Sequence, residues 1–332
     1  MQIQSDTFFE DTVRTAMERL HVPGASYALV RQGRLVLSRC SGVQDTFLTP
    51  VQADTLFECA SLTKVLFAFT ALTVMDRLHL SLDIPVIQQV PFSPWSDDPH
   101  FPEITPRHCL SHTSGMENWH AKPIPMHFTP GSAYSYSGEG YYLLQTMLEI
   151  ASGLPLDQLV KEVCFQPFHM DNARIVWTPE VGKRFSLGFD KDGMVCKTRN
   201  ARRTTWNAPE PNAAWSLYSG AADYARFLCG LLAPEQLPIL EKMHTCQIHA
   251  DQNIRWGLGL GLHAASEDLI WHWGDNSGFQ SLFLCDTRTK DAVVVITNSS
   301  RGLPFCYAVC DIFTDIGPEV LEDIASFIAG AE

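Results

Sequence analysis

Strand-forming sequence lies at both ends of this chain and helix-forming sequence fills its middle, a separation that sharply limits the folds open to it. Near the N-terminus, Phe9, Val13, Met17 and Leu20 recur at helical spacing after a capping Ser5 or Asp6, and Pro23-Gly24 ends the helix. Ala25 to Val30 and Leu35 to Cys40 are apolar runs flanking Gln32-Gly33, the pattern of a β-hairpin. From Ser61 to His79, the residues Val65, Leu66, Phe69, Leu72, Met75 and Leu78 mark one buried stripe of a long helix. Between about Leu80 and Leu240 the sequence turns toward Pro, His and Trp, with short helical patterns such as Gly140 to Ser152 and Ala221 to Leu232. Strand signals return at Trp256 to His263, Leu269 to Trp273, Ser281 to Cys285 and Asp291 to Asn298, before an amphipathic helix over Pro318 to Ala329. The expected fold is α/β (α+β): an antiparallel sheet built from residues 1–80 and 241–332 and flanked by helices. A mostly helical lobe, residues 81–240, is inserted into it.

Charge and cysteine content narrow the functional classes. Acidic residues outnumber basic ones 37 to 24, a formal charge of −13, and the basic residues are scattered in nothing longer than pairs such as Arg202-Arg203. That distribution argues against a nucleic-acid partner. No stretch approaches the roughly 18 apolar residues of a membrane span, and the first residues lack the pattern of a secretory signal. A cytosolic location without membrane attachment is expected. The ten cysteines are irregularly spaced with no CxxC pair, so they are expected as reduced, mostly buried thiols, none singled out as a nucleophile.

Three stretches could carry chemistry. In Ser61-Leu62-Thr63-Lys64 the serine and lysine lie three apart on one helix face, where an amine can meet the hydroxyl it activates. The amine must fall from its solution pKa of about 10.4, or hold a neighbouring base ionised; burial at a helix start does the first. Pro130 to Gly138 is a turn-rich segment in which Tyr136 or Tyr134 could relay a proton near that lysine, or simply pack against the core. Trp271-His272-Trp273-Gly274-Asp275 is a strand whose glycine would let a ligand approach the backbone, with the following N–H aimed at a developing oxyanion. Taken alone, each stretch has a bland alternative: a chance Ser-Lys spacing, packing tyrosines, a surface histidine.

Their joint occurrence, in this order, resembles the serine β-lactamase and penicillin-binding-protein-like hydrolases. The likeness is to the branch holding class C β-lactamases, D-alanyl-D-alanine carboxypeptidases and related carboxylesterases. The matching stretches are Phe57 to Lys64, Leu110-Ser111-His112-Thr113-Ser114-Gly115-Met116, Pro130-Gly131 through Tyr141, and His272-Trp273-Gly274. This resemblance implies Ser61 as nucleophile, Lys64 as its activator and Tyr136 as base and later acid. It implies His272 to Gly274 as the substrate-side strand, and the N–H groups of Ser61 and Asp275 as the oxyanion hole. The His-Thr-Ser-Gly stretch is taken as architecture. No cofactor and no metal are expected: His108 and His112 are four apart but lack a third ligand.

The departures bear on substrate. Most relatives carry Asn, which typically holds the amide of the substrate, where this chain has Gly138. Asp275 brings a carboxylate where carboxylate-bearing substrates approach, and His272 replaces a fixed lysine charge with one partly present at pH 7. These changes favour a small-molecule ester or small amide as substrate. The alternatives are a β-lactamase or D,D-carboxypeptidase, and, in another class, a catalytically silent binding protein. Trp119, Trp206, Trp215 and Trp273 could line an apolar acyl pocket or belong to the core.

Overall fold

The computed structural model describes residues 6–90, 95–198 and 210–331. Arg202-Arg203 and Trp206 lie outside the described residues. In chain order, helix α1 (Asp6–Leu20) leads into the hairpin β1 (Gly24–Arg31) and β2 (Arg34–Gly42). A short strand β3 (Phe57–Glu58) precedes the long helix α2 (Leu62–Arg77). The middle of the chain contains α3 (Pro106–Leu110), α4 (Gly138–Ser152), α5 (Leu156–Val160), α6 (Pro179–Arg184), β4 (Gly188–Phe189) and β5 (Val195–Lys197). It continues through β6 (Tyr218–Ser219), α7 (Ala221–Leu231), α8 (Leu237–His244) and the short strand β7 (Ile248–His249). The C-terminal part runs β8 (Ile254–Trp256), β9 (Gly261–His263), β10 (Ser266–Asn276), β11 (Phe279–Asp286), β12 (Asp291–Thr297), α9 (Gly302–Phe313) and α10 (Pro318–Ala331).

One antiparallel sheet has the order β2-β1-β12-β11-β10-β9-β8-β7. Strand β1 pairs with β12, so the two ends of the chain close the sheet between them, Ala25 opposite Thr297 and Val30 opposite Ala292. Both faces are covered, which is why the central strands read as unbroken apolar runs. Alternate residues serve different cores. Ala28, Ile270, Phe283, Val294 and Ile296 pack with α2 and α7 on one face, while Tyr27, Trp271, Leu282, Leu284 and Val295 pack with α1, α9 and α10 on the other. Helix α7 rests on β1, β2 and β12, although its sequence lies within the central stretch.

Two local features differ from the pattern read along the chain. The strand expected over Trp256 to His263 is split, because Gly259 takes a left-handed φ of 81° and a Cβ there would sit 2.4 Å from Cβ of Ala68. The glycines therefore make a tight crossing over α2, where a continuous strand would collide. Helix α9 was not anticipated. Its sequence GLPFCYAVCDIF is apolar nearly all round and rich in residues that also favour strands, so it carries little amphipathic signal. No helix among the described residues is long and apolar enough to cross a membrane.

The join between the chain ends depends on Asn298, which is fully buried. Its Oδ1 accepts from the Gly24 N–H at 2.7 Å, and its Nδ2 donates to the Val43 carbonyl at 2.9 Å and to Ser186 Oγ at 3.0 Å. Asn298→Ala takes this partner from the Gly24 N–H and the Val43 carbonyl, and is expected to cost about 3 kcal/mol of unfolding free energy in denaturant titration.

Candidate active site

Ser61 is placed by constraints on the residues around it. Immediately before it, Ala60 adopts a left-handed φ of 49°, a costly conformation for a residue with a side chain. It is held there by Thr63, whose N–H and Oγ1 both donate to the Ala60 carbonyl, at 3.0 and 2.6 Å. Thr63 Oγ1 in turn accepts from the Leu217 N–H at 3.0 Å, and the Cys59 N–H donates to the Leu217 carbonyl at 2.9 Å. Strand β3 pairs with β6 just upstream. The sharp turn that results sets Ser61 at the N-cap of α2, partly exposed, and among the described residues its N–H donates to no backbone carbonyl. A free N–H at the start of a 16-residue helix is suited to hold negative charge.

Lys64 follows on the same helix face and is buried. Its Nζ stands 3.1 Å from Ser61 Oγ and donates to the Ala214 carbonyl at 2.9 Å. Desolvation lowers its pKa to about 7, with no carboxylate to oppose the shift. A large fraction of the amine is therefore unprotonated near neutrality, within reach of the hydroxyl it would activate.

Tyr136 comes to the same place from the loop before α4. Lys64 Nζ lies 4.7 Å from the centre of its ring. The phenolic oxygen is enclosed and, among the described residues, falls short of hydrogen-bond geometry with any group, although Ser61 is close enough to oppose the rise that burial imposes on its pKa. Tyr136 therefore keeps its proton. Its ring stacks on His112 at 4.2 Å and 28°, and lies 5.2 Å from the ring of Trp273. His112, itself left-handed at φ 57°, positions the whole loop: its carbonyl accepts from the Ser135 N–H at 2.9 Å and its Nδ1 from the Ser137 N–H at 3.1 Å. Because Nδ1 accepts, the imidazole proton is on Nε2. Burial and the nearby Lys64 keep the ring neutral.

The third wall is the end of β10. This strand pairs with β9 as far as Trp271 and with β11 from Leu269 to Asn276, so the edge beyond Trp271 is free of β9. Gly274 permits the approach to the turn before Ser61: a Cβ there would lie 2.4 Å from the Cys59 carbonyl oxygen and 3.0 Å from Cβ of Ala60. His272 is buried, not the surface histidine of the bland alternative, and its Nδ1 meets the Trp273 carbonyl at 2.6 Å. Burial, with Lys64 nearby, lowers its pKa to about 3. The partial positive charge expected at pH 7 is therefore absent. Asp275 is partly exposed, and its carboxylate accepts from Gln280 Nε2. Of the tryptophans, Trp273 packs beside Tyr136, Trp215 lies in the core next to Ala214, and Trp119 is partly exposed above Gly138.

Sequence reasoning missed the buried support under this site. Glu58 is fully buried; its Oε2 accepts from Lys197 Nζ at 2.8 Å and from Asn276 Nδ2 at 2.7 Å. One carboxylate thus ties the residue three before Ser61 to the end of β10. A charge inside the apolar run Leu56 to Ala60 was the available signal.

With this geometry established, the chain can be set beside known proteins. A family model described as Beta-lactamase matches residues 9–306. The chain belongs to the Beta-lactamase family. Esterase EstB from Burkholderia gladioli is 29% identical over 193 residues, 48% of this chain and 49% of the esterase. Protein flp from Staphylococcus aureus is 23% identical over 324 residues, 90% of this chain and 63% of that protein. The match therefore spans about half to two thirds of the length of these two relatives. Among solved structures, the octameric penicillin-binding protein homologue from Pyrococcus abyssi superposes with a TM-score of 0.77 at 22% identity, covering 93% of this chain and 77% of that one. The D-alanine carboxypeptidase AmpC from Burkholderia cenocepacia gives 0.76 at 19% identity, covering 92% and 99%. The β-lactamase and penicillin-binding-protein fold expected from the sequence is the fold observed.

The buried support can be tested without substrate. Glu58→Gln leaves Lys197 buried without its counter-charge, and the unfolding free energy is expected to fall by about 3 kcal/mol. Lys197→Met in the same background should recover part of that loss in the same denaturant titration.

Proposed function

We propose that this protein is a serine hydrolase of small esters or amides that works through an acyl-enzyme on Ser61. The observation that carries this reading is the 3.1 Å approach of a buried, low-pKa amine to the Ser61 hydroxyl. Neutral Lys64 takes the hydroxyl proton as Oγ attacks the carbonyl carbon. The oxyanion is received by the N–H groups of Ser61 and Asp275. Collapse of the tetrahedral species expels the alcohol or amine, which leaves with a proton from Lys64 or by relay through Tyr136. Water, deprotonated by the same groups, then attacks the acyl-enzyme and releases the acid. The burial-raised pKa of Tyr136 supports its role as a proton carrier, leaving the role of base to Lys64.

The electrostatics support a neutral substrate. His272 carries no charge at neutral pH, His112 is neutral, and Asp275 adds a carboxylate to the mouth of the site. A substrate carboxylate, as in β-lactams and D-amino-acid peptides, would meet repulsion and no fixed cation. The named activity of the similar esterase agrees with this preference. Ten unpaired thiols support a reducing, cytosolic setting for the reaction.

The test is intact-protein mass spectrometry with p-nitrophenyl esters, a penicillin and D-amino-acid amides. Acyl mass on Ser61 is expected with the esters, no turnover of a chromogenic cephalosporin, and loss of both acylation and hydrolysis in Ser61→Ala. Hydrolysis that persists in Ser61→Ala would exclude the nucleophile, and absence of fluorophosphonate labelling would favour a binding protein. The pH profile follows from the sign of the Lys64 shift. A protonated amine cannot accept the serine proton, so kcat/KM should fall about tenfold per unit below pH 7 and level off above about pH 8. Lys64→Met should lower kcat by about a thousandfold and abolish that limb.

A further inference from the structure

We infer that Trp119 is a specificity-determining residue, an aromatic wall that packs against a bulky apolar group of the substrate beside Tyr136. The inference rests on the hydrolase reading of Ser61 and deepens it. Gly138 opens helix α4 two residues after Tyr136. A Cβ at that position would fall 2.2 Å from Cζ2, 2.5 Å from Cη2 and 2.7 Å from Cε2 of the Trp119 indole. The backbone of Gly138 is not left-handed, so its conformation would accept any ordinary residue. The three atoms nearest such a Cβ all belong to the indole, which keeps a side chain out. Ring and side chain are rival occupants of one space, and this chain has chosen the ring.

The ring is held in place. Trp119 itself sits at a left-handed φ of 55°, which a residue with a side chain adopts only when its surroundings impose it. The imposition comes from the tyrosine loop: Asn118 Oδ1 accepts from the Gly138 N–H at 2.7 Å, and the Glu117 carbonyl accepts from Ser137 Oγ at 3.5 Å. The segment 117–119 is thus fastened to the stretch that carries Tyr136. With 38% of its surface exposed, Trp119 covers Gly138 and still presents apolar area to an incoming molecule. An indole offers a broad apolar face and one N–H donor but no acceptor, so it rewards aromatic or branched groups and gives a carboxamide little. The substrate class is therefore an ester bearing such a group next to the scissile bond.

The experiment compares kcat/KM within two ester pairs that differ by one aromatic group: p-nitrophenyl acetate against p-nitrophenyl phenylacetate, and ethyl acetate against benzyl acetate. Trp119→Ala should lower the bulky-to-small ratio about tenfold in one of the pairs, the size of one aromatic contact, and Trp119→Phe should largely keep it. Gly138→Ala should lower the same ratio by expelling the indole, and should have no further effect in the Trp119→Ala background. Each ratio is taken on one preparation, so a partly folded variant still reports. Ratios unmoved in Trp119→Ala, or additive effects of the two substitutions, would overturn the inference while Ser61-dependent turnover left the hydrolase reading standing. Turnover surviving Ser61→Ala would overturn both.

Discussion

The site depends on one amine kept out of water. Lys64 is buried, and among the described residues its Nζ meets Ser61 Oγ and the Ala214 carbonyl with no carboxylate beside it. A charged ammonium in that position would carry the desolvation cost alone, so the protein shifts the equilibrium toward the neutral amine. The same burial that destabilises the cation raises the share of neutral amine at a given pH. Burial acts in the same direction on His112 and His272, leaving the pocket with little fixed positive charge.

Holding the hydroxyl beside that amine takes contributions from distant parts of the chain. The left-handed turn at Ala60 is braced by Thr63 and Leu217, and Glu58 anchors the strand before it to Lys197 and Asn276. Gly274 lets the edge of β10 lie against Cys59 and Ala60. Ser281 Oγ donates to the Cys59 carbonyl at 3.0 Å, closing the same contact from β11. These are short-range, directional interactions around a single turn, which is how strain at Ala60 can persist in a folded protein.

The wall around Tyr136 is built from rings. Tyr136, His112, Trp256 and Trp273 pack together, with Phe327 of α10 joining them in the same cluster. Several of their polar atoms, including Tyr136 Oη, His112 Nε2 and His272 Nε2, are enclosed without protein partners. Such groups exact a cost in the resting protein that a substrate or ordered water can relieve.

What could be read from the sequence was what depends on near neighbours. Ser61 and Lys64 meet because residues three apart share a helix face, and the hairpin and the long helix α2 follow from local periodicity. Helix α9 escaped because its sequence is apolar on nearly every side and has little polar face to set its period, and the β8–β9 break because glycine spacing does not say what crosses above it. The sequence by itself determined which groups this protein has for chemistry and which of them are covalently close. Tertiary structure alone decided that Lys64 is buried beside the Ser61 hydroxyl, that His272 is uncharged and that Trp119 stands in the space beside Gly138. Proton affinity and steric exclusion are set by the atoms packed around a group, and most of those atoms come from elsewhere in the chain.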